Sequence, residues 1–226
     1  SGLPTPASKW LGRALFDWSQ DNPACPVLLV SSEDGEAEAA SGACDFRMGF
    51  GSPGRGCGAV LFTDAVVPAC TPSLLARFGG SVAGVAALLS LPRLEIAWGA
   101  RYDRFVPPGW TAWARVHGAA RSEHGAASLS FAHSASAIDA AVAGRGVVLG
   151  QIAMMQDELA SGRLVVPLDL RLPLSAPYAL SWSRAALGQP CGVRLRDWLL
   201  ARGRRQQEAL GASGLACEPI NRGGGR

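Results

Sequence analysis

Three polar side chains, His133, Ser134 and Ser136, cluster in SLSFAHSASAIDAAVAGRGVVLG, residues 128–150. They fall where an apolar, strand-like run gives way to small residues spaced as a helix. The first turn of a helix leaves backbone N–H groups without partners and carries partial positive charge. An anion fills that place well, and a serine hydroxyl can also fill it, as an N-cap worth about 1 kcal/mol. The chemistry on offer is therefore non-covalent capture of an anion. Ser134 reads either as the cap or as a ligand contact. His133 reads as a pH-sensitive contact or as a plain capping or surface histidine. Gly144 and Gly146 read as helix-ending and close-approach positions, because no GxGxxG or GKS/T motif is present.

Other chemistries find little support. The sequence holds no HExxH and no GxSxG, and Asp45 and Asp139 are isolated acids. Serine, histidine and aspartate all occur, but composition is not a triad. No catalytic residue is assigned, and the chain is not expected to be an enzyme. The six cysteines form no CxxC pair, and the three histidines do not stand with them at zinc-site spacings. No metal or cofactor is expected. The thiols are expected to be free in a reducing cytoplasm, with a redox sensor as the alternative.

Composition bounds the rest. The chain has 226 residues, 48% hydrophobic and 17% charged, which suits one large packed domain or two small ones. A net charge of +3 is too small to predict nucleic-acid binding. No apolar run approaches the roughly twenty residues of a membrane span, and no secretory signal opens the chain. The start SGLPTP, without Met, reads as a cut edge and suggests a fragment.

These residues need elements to hold them. ASKWLGRALFDWSQDNP has helical spacing and stops at Asn22-Pro23. CPVLLVSS reads as a buried strand, EDGEAEAASGAC as a turn and short helix, CDFRMGFG as a strand, and GSPGRGCG as a loop. AVLFTDAVVPAC is β-rich, and TPSLLARFGG opens a helix on Pro72. A strand is expected over residues 94–98, followed by a helix with Trp110 and Trp113 on one face. QIAMMQDELASGRLVVPL reads as helix then strand, and SAPYALSWSR as a strand. GVRLRDWLLARGRRQQEAL reads as an amphipathic helix turning Leu195, Trp198 and Leu199 inward. The Gly-rich tail, 211–226, is expected to be flexible. Strands alternate with helices, which predicts α/β layers around a mostly parallel sheet.

In order and spacing, ASKWL, CDFRMGFG with VVPACTPSLL, SFAHSASAIDAAVAGRGVVLG with LASGRLVVPL, and YALSW with RLRDWLL resemble one family. It is the effector-binding domain of LysR-type transcriptional regulators, in the subgroup that regulates glycine cleavage and β-lactamase induction. The resemblance implies an α/β fold of two Rossmann-like subdomains with a double crossover, of periplasmic-binding-protein type II. Residues 1–65 plus 178–210 would form one subdomain and 66–177 the other, with crossings near residues 63–68 and 168–177. A winged helix-turn-helix would precede Ser1, so DNA would be bound only through that missing domain. A small-molecule effector, anionic or amide-bearing, would sit between the subdomains of a cytoplasmic homodimer or homotetramer that touches no membrane.

The resemblance also implies site residues. Thr5, Pro6 and Ala7 would form a second helix-start pocket facing Ser134 across the cleft, and Tyr178 would approach the ligand. Read from the residues themselves, Trp98, Tyr102, Phe105, Trp110 and Trp113 form an aromatic-rich region that serves mostly as core, with Tyr102 and Trp98 alternatively walling an apolar part of the cleft. The dimer would use the first helix, residues 10–18, and the strand near Val27. The family's usual Arg before the strand-ending Gly is replaced by Gly49, with Arg47 two residues earlier, and GSPGRGCG lacks the subgroup's Trp-Pro-Gly. Both departures lie near the expected cleft mouth and predict an effector different from those of characterised relatives. An exported solute-binding protein of the same fold is the alternative, against which LASGRLV and RLRDWLL weigh.

Overall fold

The computed structural model describes residues 1–32, 44–53, 57–119 and 129–212, apart from the side chain of Arg101. The short helix expected in EDGEAEAASGAC, the middle of GSPGRGCG and most of the expected tail lie outside the described residues.

Two sheets organise the chain. One contains β1 (Phe46–Phe50), β2 (Gly58–Phe62) and β8 (Tyr178–Trp182) in the order β1-β8-β2. The other contains β3 (Ala65–Ala69), β4 (Arg93–Ile96), β5 (Leu129–Phe131), β6 (Val147–Gln151) and β7 (Leu172–Pro173) in the order β5-β4-β6-β3-β7. The chain passes from the first sheet to the second between Phe62 and Ala65, and returns between Pro173 and Tyr178.

The strands are less parallel than the alternation predicts. Only β4 pairs in parallel, with β5 and β6. β3 is antiparallel to β6 and β7, and β8 is antiparallel to β1 and β2. The double crossover is the reason: β8 returns from the second sheet and inserts between two strands that run the opposite way. Local periodicity carries no information about that return.

Helices cover both sheets. α1 (Pro4–Pro6) runs through a π-helical stretch, Ala7–Leu11, into α2 (Gly12–Asp21). α3 (Pro72–Arg77) begins as its sequence predicts, with Thr71 Oγ1 accepting from Leu74 N–H at 3.1 Å. α4 (Val85–Leu89) and α5 (Trp110–Val116) follow, and Trp110 and Trp113 are both buried. α6 (Ser134–Val142) packs on β4 and β6, and α7 (Gln156–Ala160) follows β6 through a 3-10 turn. α8 (Arg184–Leu187) leads to the long α9 (Pro190–Ala212), which lies along β2. Gly203 allows that approach, since a Cβ there would stand 3.0 Å from the Leu61 backbone.

Two expectations change. Residues 26–30 form no ladder, and Leu28 is 85% exposed, so CPVLLVSS is not a buried strand. Its backbone meets the chain start, with Gly2 N–H donating to Val30 O at 3.0 Å and Ser32 N–H to Gly2 O at 3.0 Å. The thiols are not all free: Cys25 and Cys191 form a disulfide. Cys44, Cys57 and Cys70 are free, and Cys217 lies outside the described residues. Within the helix expected to carry a dimer contact, Trp10 and Trp18 turn into the chain's own core and Phe16 is exposed. Trp10 Nε1 donates to Gln206 Oε1 at 3.1 Å, and Trp18 meets Trp198 edge-on.

Candidate functional site

The site lies where the two sheets face each other. α1 reaches across from the chain start and α6 from behind the second sheet, and their first turns meet. Ser134 Oγ donates to Thr5 Oγ1 at 3.0 Å, and Ala135 N–H donates to the same oxygen at 3.0 Å. Ser134 is thus not the cap of its own helix. It is the first helical residue after an uncapping His133, and the cap is Thr5, 130 residues away in sequence. A side-chain oxygen at this second helical N–H is what an N-cap supplies. The only unusual feature is that it comes from the opposite unit. Both hydroxyls are buried, Thr5 at 6% exposure and Ser134 at 4%.

The start of α1 is a poorer anion cradle than a generic helix start. Pro4 and Pro6 have no N–H, and Ala7 N–H donates to Leu3 O at 2.8 Å. That leaves Thr5 N–H as the one donor of the turn's first three residues. Thr5 therefore contributes chiefly through its hydroxyl.

Aromatic side chains close the remaining walls. Phe50 and Tyr178 come from the first sheet, and Trp98, Tyr102 and Phe105 from the chain after β4. Phe50 meets Phe105, Tyr178 and Tyr102 at centroid distances of 4.8, 5.5 and 6.4 Å, and Trp98 meets Tyr102 at 5.8 Å. The edge-to-face contacts of Phe50 with Phe105 and Tyr102 tie the two units together. The cavity they leave is about 50 Å³.

Of the predicted residues, Thr5, Pro6, Tyr102, His133, Ser134 and Tyr178 line this cavity together, and so does Trp98. Ala7 is buried behind it and Ser136 is exposed on the outer side of α6, so neither faces the cavity. Arg47 does not line it either. Sequence reasoning missed Phe50, Phe105 and Gln151. Gln151 carried a signal: it is a lone polar residue at the carboxyl end of an apolar strand, the place where α/β sheets bind ligands.

The polar atoms here are unevenly satisfied. Gln151 is 2% exposed and shares a side-chain hydrogen bond with Tyr178, yet its Oε1 has no partner. Trp98 Nε1, on the same lining, is also buried and unpaired. One is an acceptor and the other a donor. Burial pushes the Tyr178 hydroxyl well above its ordinary pKa, and the nearby Asp64 carboxyl adds to the effect, so it stays protonated. Among the described residues, the lining includes no lysine, arginine, aspartate or glutamate. Among the described residues, no group of three His, Cys, Asp or Glu side chains is placed to hold a metal.

Outside the cavity, ion pairs span the same gap. Lys9 Nζ lies 2.6 Å from Asp139 Oδ1 and 3.3 Å from Glu158 Oε1, and Arg13 pairs with Asp157.

A cleft between two α/β units, crossed twice by the chain and lined by helix-start hydroxyls and aromatic rings, is the architecture of a ligand-binding domain. The chain belongs to the LysR substrate binding domain family, whose sequence profile matches residues 2–204. It is 31% identical over 175 residues to the HTH-type transcriptional regulator TrpI of Pseudomonas aeruginosa, covering 76% of this chain and 56% of that protein. It is 39% identical over 80 residues to the glycine cleavage system transcriptional activator of Escherichia coli strain K12, covering 34% of this chain and 26% of that protein. It therefore spans about half the length of the TrpI relative. In fold it is similar to the effector domain of the transcriptional regulator AmpR of Pseudomonas aeruginosa. The TM-score is 0.69 at 22% identity, over 92% of this chain and 96% of that one. These relatives are named as regulators, which sets aside the exported solute-binding alternative.

Proposed function

We propose that this domain senses a small molecule in the cleft between its two sheets and reports it to the DNA-binding part of a cytoplasmic LysR-type regulator. The domain binds and does not catalyse. DNA contact belongs to a winged helix-turn-helix outside these 226 residues. Thr5, Ser134, Tyr102 and Tyr178 meet the effector, Pro6 walls it and His133 stands at its rim.

One observation carries this reading: hydroxyls from opposite units share a hydrogen bond in a cavity that also holds two unpaired polar atoms. A buried polar atom left unpaired costs about 1–3 kcal/mol, which a complementary ligand recovers. An amide supplies both needs at once, its N–H for Gln151 Oε1 and its C=O for Trp98 Nε1. The start of α6 favours a negative end. The lack of cationic side chains on the lining favours a neutral or singly charged ligand over a polyanion.

The small volume explains how binding is transmitted. Ligand sites usually enclose about 300–1,000 Å³, and 50 Å³ holds no more than a water or two. An effector larger than this parts the walls, which are joined by the Thr5–Ser134 contact. The two arrangements then differ in affinity for the ligand, and binding shifts the population between them.

Self-association passes the change on. The exposed apolar side chains of Val27, Leu28 and Val30 share one short segment and suit a homodimer or homotetramer contact.

The test is a thermal-shift screen of this domain against small primary amides, monocarboxylates and dicarboxylates. A ligand at a hundredfold its Kd adds about 2.7 kcal/mol of stability. Hits confined to amides and monocarboxylates, and lost in Gln151→Leu, support the reading. Dicarboxylate hits that survive Gln151→Leu contradict it.

A further inference from the structure

The disulfide lies far from the cleft, on the wall of a second cavity of about 490 Å³ bounded by α2, residues 25–30 and the start of α9. Its two sulfurs are not equivalent. Cys25 is buried, at 4% exposure, and Cys191 is half-exposed at the first turn of α9. Arg194, one turn further along, places Nη2 3.0 Å from Cys25 Sγ and 3.6 Å from Cys191 Sγ. Cys25 also anchors the segment that carries the exposed Val27, Leu28 and Val30.

We propose that Cys191 and Cys25 form a thiol-exchange site that takes a low-molecular-weight thiol. The thiolate of that thiol reaches the more exposed sulfur. A new bond forms between its sulfur and Cys191 Sγ, the Cys191–Cys25 bond breaks, and the electron pair leaves on Cys25 as a thiolate. The Arg194 guanidinium stabilises that leaving group, and a stabilised thiolate leaves faster. A second thiol attacks the mixed disulfide, releasing Cys191 as a thiol and the small molecule as its own disulfide. In sum, two small thiols are oxidised to one disulfide and the protein bond is reduced. The reverse sequence restores it, with the Cys25 thiolate attacking Cys191 in the mixed disulfide.

A passive crosslink requires none of this asymmetry. A guanidinium beside the buried sulfur and access to the other are what exchange requires. Breaking the bond frees Cys25 from α9, and the apolar edge it anchors keeps the two backbone hydrogen bonds to Gly2 and the packing of Leu29 on the core. The site is independent of the cleft, and either can fail without the other.

The test equilibrates the chain in mixtures of reduced and oxidised glutathione, traps free thiols with a maleimide and locates them by mass spectrometry. Cys25 and Cys191 are expected to titrate together and reversibly. Cys25→Ser should accumulate one glutathione on Cys191, and Cys191→Ser should leave Cys25 unmodified. Arg194→Leu should slow reduction by about three- to tenfold, with Arg194→Lys restoring most of the rate. The wild-type titration needs no variant to fold. Three results would each overturn the proposal: no Cys25–Cys191 bond in fully oxidised buffer, glutathione carried equally by Cys25 in Cys191→Ser, or an unchanged rate in Arg194→Leu.

Discussion

Asp64 offers the sharpest thermodynamic prediction, because its carboxyl is sealed into the crossing between the sheets. It is 1% exposed and accepts from Ala65 N–H at 2.8 Å and from Ala153 N–H at 3.1 Å. Burial raises its pKa from 3.8 to about 7, opposed by the backbone N–H groups of Ala65, Ala153 and Ile152 and by the charge of Arg171. The folded chain therefore holds this proton more tightly than the unfolded chain. Stability from this group is full below pH 4 and is lost as pH rises towards 7. The difference of about three units corresponds to roughly 4 kcal/mol, with a slope of up to about 1.4 kcal/mol per pH unit.

His117 acts in the opposite sense. Burial lowers its pKa, so its contribution is lost as pH falls. Asp64→Asn removes one titration and leaves the other, and the difference between the two proteins isolates Asp64. Urea unfolding from pH 5 to pH 7.5 measures it. The wild type should lose roughly 2–3 kcal/mol relative to the variant across that window. A flat difference, or one of opposite sign, would refute a raised carboxyl at the crossing.

Other perturbations test other parts of the structure. Thr5→Val removes the cap from Ala135 N–H and the partner of Ser134, and should cost about 1–2 kcal/mol in urea unfolding. Lys9→Met leaves the buried Glu158 facing only Arg163, 3.5 Å away, and should destabilise the fold. Salt titration should show that most of this loss persists at high ionic strength, because Glu158 is shielded. Gly203→Val should cost about 1–3 kcal/mol, since α9 must move off Leu61, with the midpoint temperature as readout. Trp113→Ala, which empties a fully buried site and removes the Nε1 bond to Leu170 O at 2.6 Å, should cost about 3–5 kcal/mol by the same measure.

Much of this molecule was legible in local pattern, and what was not has a common cause. Thr71-Pro72 announced α3, and the apolar run after Gly146 announced β6, because caps and periods are written within a few residues. Ser134 had the local signature of a cap, but the cap came from Thr5. The run at 26–30 had strand composition, yet its exposure depends on what lies beside it in space. The antiparallel pairings of β8 and the disulfide spanning 166 residues follow from where the chain returns. Trp10 and Trp18 had helical spacing and face the core, but periodicity marks an apolar face without saying what covers it.

The central claim is that a small molecule binds between Thr5 and Ser134 and reads Gln151. Isothermal titration of one screening hit into the wild type, Ser134→Ala and Gln151→Leu tests it most directly, with circular dichroism to establish folding. Each variant should lose about 1–3 kcal/mol of binding free energy, roughly a five- to 150-fold rise in Kd. Unchanged Kd in both folded variants would place the ligand elsewhere and contradict the account.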